Sequence, residues 1–189
     1  MLIKICGIKN PEIAAFAAQH GAHFIGMILT PGFSRSISIE QAKIIAEASY
    51  DHGAVPVGVF VSAQPEEIES ACRELKIEYV QAYQLSLPLP KHLKRFFIND
   101  DKASLRPQCD YLLIESNHPG TEEKIDDQQF SFPQIRPWLI AGGLNPQNVK
   151  STILRYRPDG VDVSSGVEKD GIKCPELIFQ FIQEVKSHE

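Results

Sequence analysis

The stretch Leu-Ile-Lys-Ile-Cys-Gly-Ile at residues 2–8 decides how the rest of the chain is interpreted. Its apolar, β-prone residues predict a short buried strand, and Gly7 directly after Cys6 allows the chain to turn where that strand ends. A cysteine in this position is held by a rigid element and can face whatever binds at the strand end. It can equally be a small buried hydrophobic residue, because free cysteine is among the most buried residue types.

A helix follows this first strand, and the same alternation recurs along the chain. Asn10 can cap a helix that begins at Pro11, and Gly21 can end it. Further helices are predicted at residues 39–51, 64–76, 146–156 and 175–186, with a short one just before residue 95. Continuous apolar runs predict eight strands, at residues 2–8, 23–29, 55–61, 78–82, 95–98, 111–114, 138–141 and 160–163.

Eight short apolar strands that alternate with helices indicate parallel pairing under a layer of helices. This count favours a small (β/α)8 TIM barrel, formed by a single domain over residues 1–189. The alternative is an open doubly wound sheet, but neither a G-x-G-x-x-G nor a G-x-x-x-x-G-K-[ST] motif follows any strand. Because barrels of this kind typically have about 250 residues, we expect shortened helices in the middle third, with at least one trimmed or absent between residues 84 and 109.

Composition restricts the classes of function. The chain is 43% hydrophobic and 23% charged, which is ordinary for a globular protein and argues against disorder. The formal net charge of -5 and the lack of any Lys- and Arg-rich stretch argue against a nucleic-acid partner. An anionic ligand would therefore need a local site rather than a generally basic surface.

The cysteines and the apolar runs indicate a reduced, non-membrane setting. Cys6, Cys72, Cys109 and Cys174 form no C-x-x-C pair, so neither a zinc knuckle nor a dithiol redox motif is predicted. No apolar run approaches the ~20 residues that a membrane span needs, and the first one is too short for a signal peptide. We therefore expect a cytoplasmic protein without a membrane partner or a metal.

In a barrel of this type the active site forms at the carboxyl ends of the strands. Gly142 and Gly143 end the seventh strand, and small residues end the eighth. Bare backbone N–H groups in two such neighbouring turns are what a phosphate site requires. The same rule gathers a thiol, a guanidinium and two carboxylates on this face, and the candidate site residues are Cys6, Arg35, Glu115, Gly142, Gly143, Asp162, Ser164 and Ser165.

Five ordered motifs make the sequence resemble the phosphoribosylanthranilate isomerase family over nearly its whole length. The family's opening K-[IV]-C-G-I motif corresponds to residues 4–8, and its second-loop motif, with a proline, a serine and an arginine, to residues 31–37. V-G-V-F-V corresponds to residues 57–61, A-G-G-L-N-P to residues 141–146, and V-D-V-S-S-G-V-E to residues 161–168.

The resemblance implies a cofactor-free Amadori rearrangement of a small phosphorylated substrate in tryptophan biosynthesis. It implies that Cys6 is the general base, that the carboxyl group ending the sixth strand is the general acid, and that Arg35 holds the anthranilate carboxylate. A thiolate is needed for the base, so we expect the pKa of Cys6 to be lowered by a nearby cation, most simply Arg35. Without the resemblance, Arg35 would be a surface charge in a polar loop.

Three positions depart from the family pattern. Glu115 stands where the family has aspartate, and its extra methylene moves the carboxyl group by more than about an ångström, a misplacement that can cost roughly 10²-fold in rate. Tyr83 replaces a histidine, and the loop at residues 119–122 contains a proline and a glutamate that the family lacks. Asp126 is a weaker candidate for the acid because it lies beyond that loop.

These departures leave two other functions open. The barrel could isomerise another phosphorylated aminoaldose, which substrate profiling would reveal, or it could be a catalytically idle ligand-binding barrel that binds phosphosugar analogues without turnover. In each case the partner is a small phosphorylated molecule. A monomer is the default expectation, because no exposed apolar stripe is evident.

Overall fold

The computed structural model describes residues 1–83, 89–98, 110–115 and 136–187. Its helices are α1 (Pro11–His20), α2 (Ile39–Asp51), α3 (Pro65–Leu75), α4 (Val149–Tyr156) and α5 (Pro175–Lys186). The long strands are β1 (Leu2–Cys6), β2 (Phe24–Ile28), β3 (Val55–Phe60), β4 (Tyr79–Ala82), β5 (Lys94–Ile98), β6 (Tyr111–Ile114), β7 (Trp138–Ile140) and β8 (Gly160–Val163). Two short strands, β9 (Glu168–Lys169) and β10 (Ile172–Lys173), follow β8.

The eight long strands form a closed, all-parallel barrel in chain order, as predicted. Closure is made by β1, which pairs with β2 on one side and with β8 on the other. In the β1–β8 register Lys4 lies opposite Asp162 and Leu2 opposite Gly160. The first and last strands of the barrel therefore bring residues 158 positions apart into direct contact.

The helix ends follow the expected capping chemistry. The side chain of Asn10 accepts a hydrogen bond from the Ile13 amide at 2.9 Å, and Gly21 ends α1 in the left-handed region at φ 114°. Ser38 and Gln41 form a capping box at the start of α2, with reciprocal hydrogen bonds between each side chain and the other residue's backbone amide. These contacts satisfy backbone donors that a helix start leaves unpaired.

Alternation along the strands separates two apolar layers. Ile3 and Ile5 are fully buried in the layer between the strands and the outer helices. The barrel interior is a second cluster, in which the rings of Phe24 and Phe96 meet edge to face at 5.1 Å between centroids. Lys4 points into this interior, with its ammonium group 5.8 Å from the Phe96 ring centroid. Since side chains two apart in a strand share a face, Cys6 also points inward.

Element bounds differ from the predicted ones where turn residues intervene. β1 ends at Cys6 rather than at residue 8, because Gly7 takes a positive φ of 76° and leaves the strand. α4 begins at Val149, because the Asn145 side chain first folds residues 146–148 into a turn by accepting from the Gln147 and Asn148 amides, each at 3.0 Å. The predictions also lacked the 3-10 turn Ser165–Val167 and the β9–β10 hairpin.

Part of the middle third can be compared with the prediction. Residues 89–93 form a turn, closed by a 3.0 Å hydrogen bond from the Leu93 amide to the Pro90 carbonyl, where a short helix was predicted. Residues 84–88 and 99–109, which include Cys109, lie outside the described residues. So do the predicted loop at residues 119–122 and Asp126. Within the described ranges, no helix has the length and apolar character to cross a membrane.

Candidate functional site

All eight candidate residues line one cavity at the carboxyl ends of the barrel strands, with a volume of about 340 Å³. Apolar side chains, such as Ile28, Val59 and Leu144, form much of the remaining wall. A concave, mainly apolar pocket with a few convergent polar groups is the usual form of a small-molecule site. The candidate residues that meet there are Cys6, Arg35, Glu115, Gly142, Gly143, Asp162, Ser164 and Ser165.

Cys6 is buried at the end of β1, and the neighbouring strand makes room for its sulfur. Gly26 on β2 lies opposite Cys6, and a Cβ atom added there would lie 2.8 Å from the Cys6 Sγ. Any larger residue at position 26 would therefore displace the thiol. The carbonyl oxygen of Cys6 accepts a 3.1 Å hydrogen bond from the Ser164 hydroxyl, which ties the end of β1 to the end of β8.

An ion pair lies directly beneath the thiol. The Lys4 Nζ donates to the Asp162 Oδ2 at 2.8 Å, and both side chains are buried. Burial lowers the pKa of Lys4, but the charges of Asp162 and Cys6 and the hydrogen bond outweigh it and raise that pKa, so the ammonium form persists. The second carboxylate oxygen of Asp162 has no hydrogen-bond partner among the described residues.

The pKa of Cys6 is the opposite of what the sequence led us to expect. Burial raises the pKa of the thiol above its ordinary value and the charge of Asp162 adds to the shift, while Lys4 and Lys173 offset part of it. The expected lowering by Arg35 is therefore wrong. The pKa is raised because burial of the thiolate costs more hydration free energy than attraction to the nearby ammonium groups recovers.

Arg35 lies in the cavity wall but is already paired. Its Nε and Nη2 donate to the two carboxylate oxygens of Glu168, each at 2.8 Å, and Nη1 takes part in neither bond. Lys173, on the β9–β10 hairpin, donates to the same carboxylate and, at 2.9 Å, to the Ser164 carbonyl. Although burial opposes ionisation of Glu168, its hydrogen bonds to Arg35 and Lys173 hold its pKa below the usual range.

The opposite wall of the cavity carries Glu115, just after β6. The Tyr83 hydroxyl lies 3.0 Å from its Oε1 and 2.9 Å from its Oε2, and the Gln81 Nε2 donates to that hydroxyl at 2.8 Å. Burial and the charge of Asp162 raise the pKa of Glu115 to about 7, although Tyr83 and Lys4 oppose the shift. A carboxyl group with this pKa holds a proton in part of the molecules near neutral pH.

The turns after β7 and β8 form the third part of the cavity. Gly142 and Gly143 have positive φ values of 95° and 62°, which open the backbone toward the pocket. The Asn148 side chain donates to the Gly143 carbonyl at 2.7 Å and fixes this turn. A Cβ atom at Gly166 would lie 1.8 Å from the Leu144 carbonyl oxygen, so the two turns are in direct backbone contact. Both turns line the cavity at the strand ends, where barrels of this type commonly bind phosphate.

Several polar residues of the site were not predicted. Lys4 could have been found, since a lysine inside an apolar strand and two residues before Cys6 must share its face. Tyr83 was noted only as a departure, and nothing in its local sequence signals a contact with Glu115. Glu168 and Lys173 depend on the β9–β10 hairpin, which has no strong pattern of its own.

Comparisons with known proteins agree with this geometry. The family model described as N-(5'phosphoribosyl)anthranilate (PRA) isomerase matches residues 3–184. An N-(5'-phosphoribosyl)anthranilate isomerase of Chlamydia felis is 37% identical, over 98% of this chain and 97% of that protein.

Two solved structures also resemble the chain. A phosphoribosyl anthranilate isomerase in complex with reduced 1-(o-carboxyphenylamino)-1-deoxyribulose 5-phosphate has a TM-score of 0.80 and 29% identity, over 99% of this chain and 100% of that one. A structure described as monomers of the dimeric enzyme from Thermotoga maritima has a TM-score of 0.76 and 28% identity, over 99% and 100% of the two chains.

Proposed function

The chain belongs to the N-(5'-phosphoribosyl)anthranilate isomerase family, and we propose that Cys6 is the general base and Glu115 the general acid of its reaction. The protein is an isomerase that converts N-(5'-phosphoribosyl)anthranilate to 1-(2-carboxyphenylamino)-1-deoxyribulose 5-phosphate in tryptophan biosynthesis. The observation that carries the residue assignment is the single 340 Å³ cavity in which thiol, carboxyl group, arginine and glycine turns meet.

The reaction requires one proton to be delivered and one to be removed. Glu115 gives its proton to the ring oxygen as the bond between C1' and that oxygen breaks, and the nitrogen lone pair forms a C1'=N bond. The Cys6 thiolate then takes the proton from C2', and the released electron pair forms C1'=C2' while the C1'=N π electrons return to nitrogen. The resulting enol becomes the aminoketose by proton transfer. General acid and base groups typically contribute about 10²–10⁴-fold each.

The environment of Glu115 suits the role of acid. A carboxyl group with a pKa of about 7 is protonated in a substantial fraction of the molecules at neutral pH, whereas one with the ordinary value would be almost fully ionised. Burial, the largest cause, is provided by the pocket itself. Since glutamate and aspartate share this chemistry, the longer side chain changes the reach of the acid rather than its function.

The protonation states of acid and base predict the pH profile. Burial raises the pKa of Cys6 above its ordinary value and that of Glu115 to about 7, so the reactive pair of thiolate and carboxylic acid is a minor form of the free enzyme. Between the two pKa values the product of the two fractions is constant. We therefore expect kcat/KM to rise up to about pH 7 with Glu115, stay flat, and fall as Cys6 titrates.

The remaining candidate residues are assigned to binding the substrate, at its phosphate, its anthranilate carboxylate and its ribose. Gly142, Gly143 and Ser165, with the Ser164 backbone, are suited to the phosphate, because their two turns line the same cavity and backbone N–H groups in such turns can bind a dianion. Arg35 is suited to the anthranilate carboxylate through its Nη1 group, which Glu168 does not hold. Asp162 can accept from a ribose hydroxyl through its Oδ1, which has no hydrogen-bond partner in the part of the chain that the structure describes.

The test is turnover of N-(5'-phosphoribosyl)anthranilate, followed by the loss of anthranilate-type fluorescence, for the wild type and for Cys6→Ala and Glu115→Ala. We expect both variants to lose at least ~10²-fold in kcat. Cys72→Ala is the matched control, because Cys72 is a buried thiol of α3 outside the cavity. Full activity of Cys6→Ala or Glu115→Ala would remove that residue from its role.

The same experiment separates the other functions. If the wild type does not turn over this substrate but binds the reduced product analogue, profiling of other phosphorylated aminoaldoses distinguishes a changed substrate from an idle barrel.

The single-domain organisation over residues 1–189, a monomeric state and a cytoplasmic location are also part of the proposal. Light scattering of the purified protein tests the second, and a mass near 42 kDa, twice the 21.1 kDa chain, would contradict it.

A further inference from the structure

Tyr83 makes an unusual contact with the proposed acid. Its hydroxyl lies within hydrogen-bond distance of both carboxyl oxygens of Glu115, at 3.0 and 2.9 Å. These residues follow β4 and β6, which are not neighbours, because β5 pairs with both. The contact therefore spans the intervening strand β5 and does not follow from sheet pairing.

Gln81 sets the direction of that hydroxyl. Its Nε2 donates to the Tyr83 oxygen at 2.8 Å, and Gln81 itself is buried. Since an amide N–H can only donate, the Tyr83 oxygen accepts from Gln81 and keeps its own proton for Glu115. Gln81, Tyr83 and Glu115 thus form a hydrogen-bonded chain that ends on the carboxyl group.

From this arrangement, and resting on Glu115 as the acid of the proposed reaction, we propose that Tyr83 is a positioning residue that orients the Glu115 carboxyl group and stabilises the charge left after proton transfer. A hydrogen bond to an ionised carboxylate is shorter and about twice as strong as one to a neutral group. The contact therefore gains strength as Glu115 gives its proton to the ring oxygen. An interaction that is stronger in the transition state than before it raises kcat rather than substrate affinity.

Tyr83 does not itself supply the proton. Burial and the neighbouring charge of Glu115 raise the pKa of the Tyr83 hydroxyl far above neutrality, so it keeps its proton while the carboxyl group titrates. The other groups that act on Glu115 come from two further strands. Asp162 on β8 raises the pKa of Glu115, and Lys4 on β1 lowers it, while Cys6 at the end of β1 acts on Tyr83.

The first experiment is Tyr83→Phe, which removes the hydroxyl and keeps the ring. We expect the single-turnover rate constant to fall about 10-fold or more while KM changes less than about threefold, as for an interaction made in the transition state. The hydrogen bond that this variant removes favours the ionised form of Glu115. Its loss should therefore raise the pKa of Glu115 and move the low-pH limb of kcat/KM to higher pH. Tyr79→Phe on the same strand is the control, since its hydroxyl contacts Lys94 outside the cavity.

A double-mutant cycle identifies the route of the effect. If Tyr83 acts through Glu115, adding Tyr83→Phe to Glu115→Gln should cause less than a twofold further loss. An equal loss in both backgrounds, or an unchanged rate and pH limb in Tyr83→Phe, overturns the proposal. Full activity of Glu115→Gln alone would instead overturn the acid assignment. Gln81→Met provides a second variant, for which we expect a smaller change in the same direction.

Discussion

The two walls of the cavity handle burial in different ways. On the wall formed by β1 and β8, the thiol of Cys6 is surrounded by charged side chains, with Lys4, Asp162 and Lys173 all acting on it. On the wall formed by β4 and β6, the carboxyl group of Glu115 has direct contacts with the neutral Tyr83. Burial raises the pKa of both Cys6 and Glu115.

Burial favours the protonated form that Glu115 needs as an acid and disfavours the thiolate form that Cys6 needs as a base. A raised pKa keeps the acid protonated near neutral pH, and the charge of Asp162 adds to this shift while Tyr83 and Lys4 oppose it. A raised pKa disfavours the thiolate that the base requires, so Cys6 needs cations to limit the shift. Two cations, Lys4 and Lys173, thus act on the wall where burial opposes the chemistry, while the Asp162 charge adds to the shift.

The largest expected effect concerns the Lys4–Asp162 ion pair on the wall formed by β1 and β8, which carries Cys6. Lys4→Met leaves Asp162 buried without its cation, and we expect a loss of ~3–5 kcal/mol in the free energy of unfolding. The double variant Lys4→Met with Asp162→Asn should recover most of that loss, because no charge remains buried. Urea denaturation measures both. Lys9→Met is the control, since Lys9 is exposed and should change stability by less than ~0.5 kcal/mol. Equal stability of Lys4→Met and wild type would contradict the view that the wall formed by β1 and β8 holds a buried charge pair.

The second expected effect concerns the pH dependence of stability and Glu115, on the wall formed by β4 and β6. Because the pKa of Glu115 is raised from 4.5 to about 7 in the folded protein, the folded state binds more protons between these values and stability falls as pH rises through them. At pH 8 we expect Glu115→Gln to be more stable than wild type by on the order of 3 kcal/mol. At pH 4 the difference should vanish, so the same two proteins supply the control. A pH-independent difference would place Glu115 in solvent.

A third effect isolates the position of the thiol. Gly26→Ala places a Cβ atom 2.8 Å from the Cys6 Sγ and 3.0 Å from its Cα, so the thiol must move. We expect kcat to fall by roughly 10²-fold, as for a displacement of about an ångström. Gly58→Ala is the control, because its Cβ would meet Phe60 and Ile77 in the outer layer instead. Comparable kcat values for the two variants would show that thiol position is not limiting.

The smallest expected effect is on substrate affinity. Arg35→Ala should raise KM about 10-fold and leave kcat within a few fold, since its guanidinium is proposed to hold the end of the substrate that does not react. Arg73→Ala, which removes an exposed arginine paired with Glu69, is the control. An unchanged KM would remove Arg35 from the site. Steady-state kinetics at several substrate concentrations separate KM from kcat.

Most of the scaffold could be predicted from local patterns. α2 and α5 have the predicted bounds, and β6 and β8 agree with their apolar runs. Ser38 and Asn10 were recognisable because helix caps act over three residues. The strand-end rule also brought all eight candidate residues to one cavity, although their chemical roles stay predictions.

What could not be predicted depends on contacts across the barrel. The Lys4–Asp162 pair joins the first and last strands, and the Tyr83–Glu115 contact spans an intervening strand. No local spacing encodes either distance. The direction of the Cys6 pKa was wrong for the same reason, because the depth of a thiol and the pairing of Arg35 with Glu168 are properties of the closed barrel.

The alternation within β1 has a consequence for how this protein can evolve. Its five residues place Ile3 and Ile5 in the outer apolar layer and Lys4 and Cys6 inside the barrel. Insertion or deletion of one residue would exchange the two faces, burying a lysine under the helices and removing the thiol from the cavity. Such a change would be eliminated as a folding defect before any loss of activity mattered. Selection for a stable fold alone is therefore enough to preserve the strand register in which Cys6 faces the cavity.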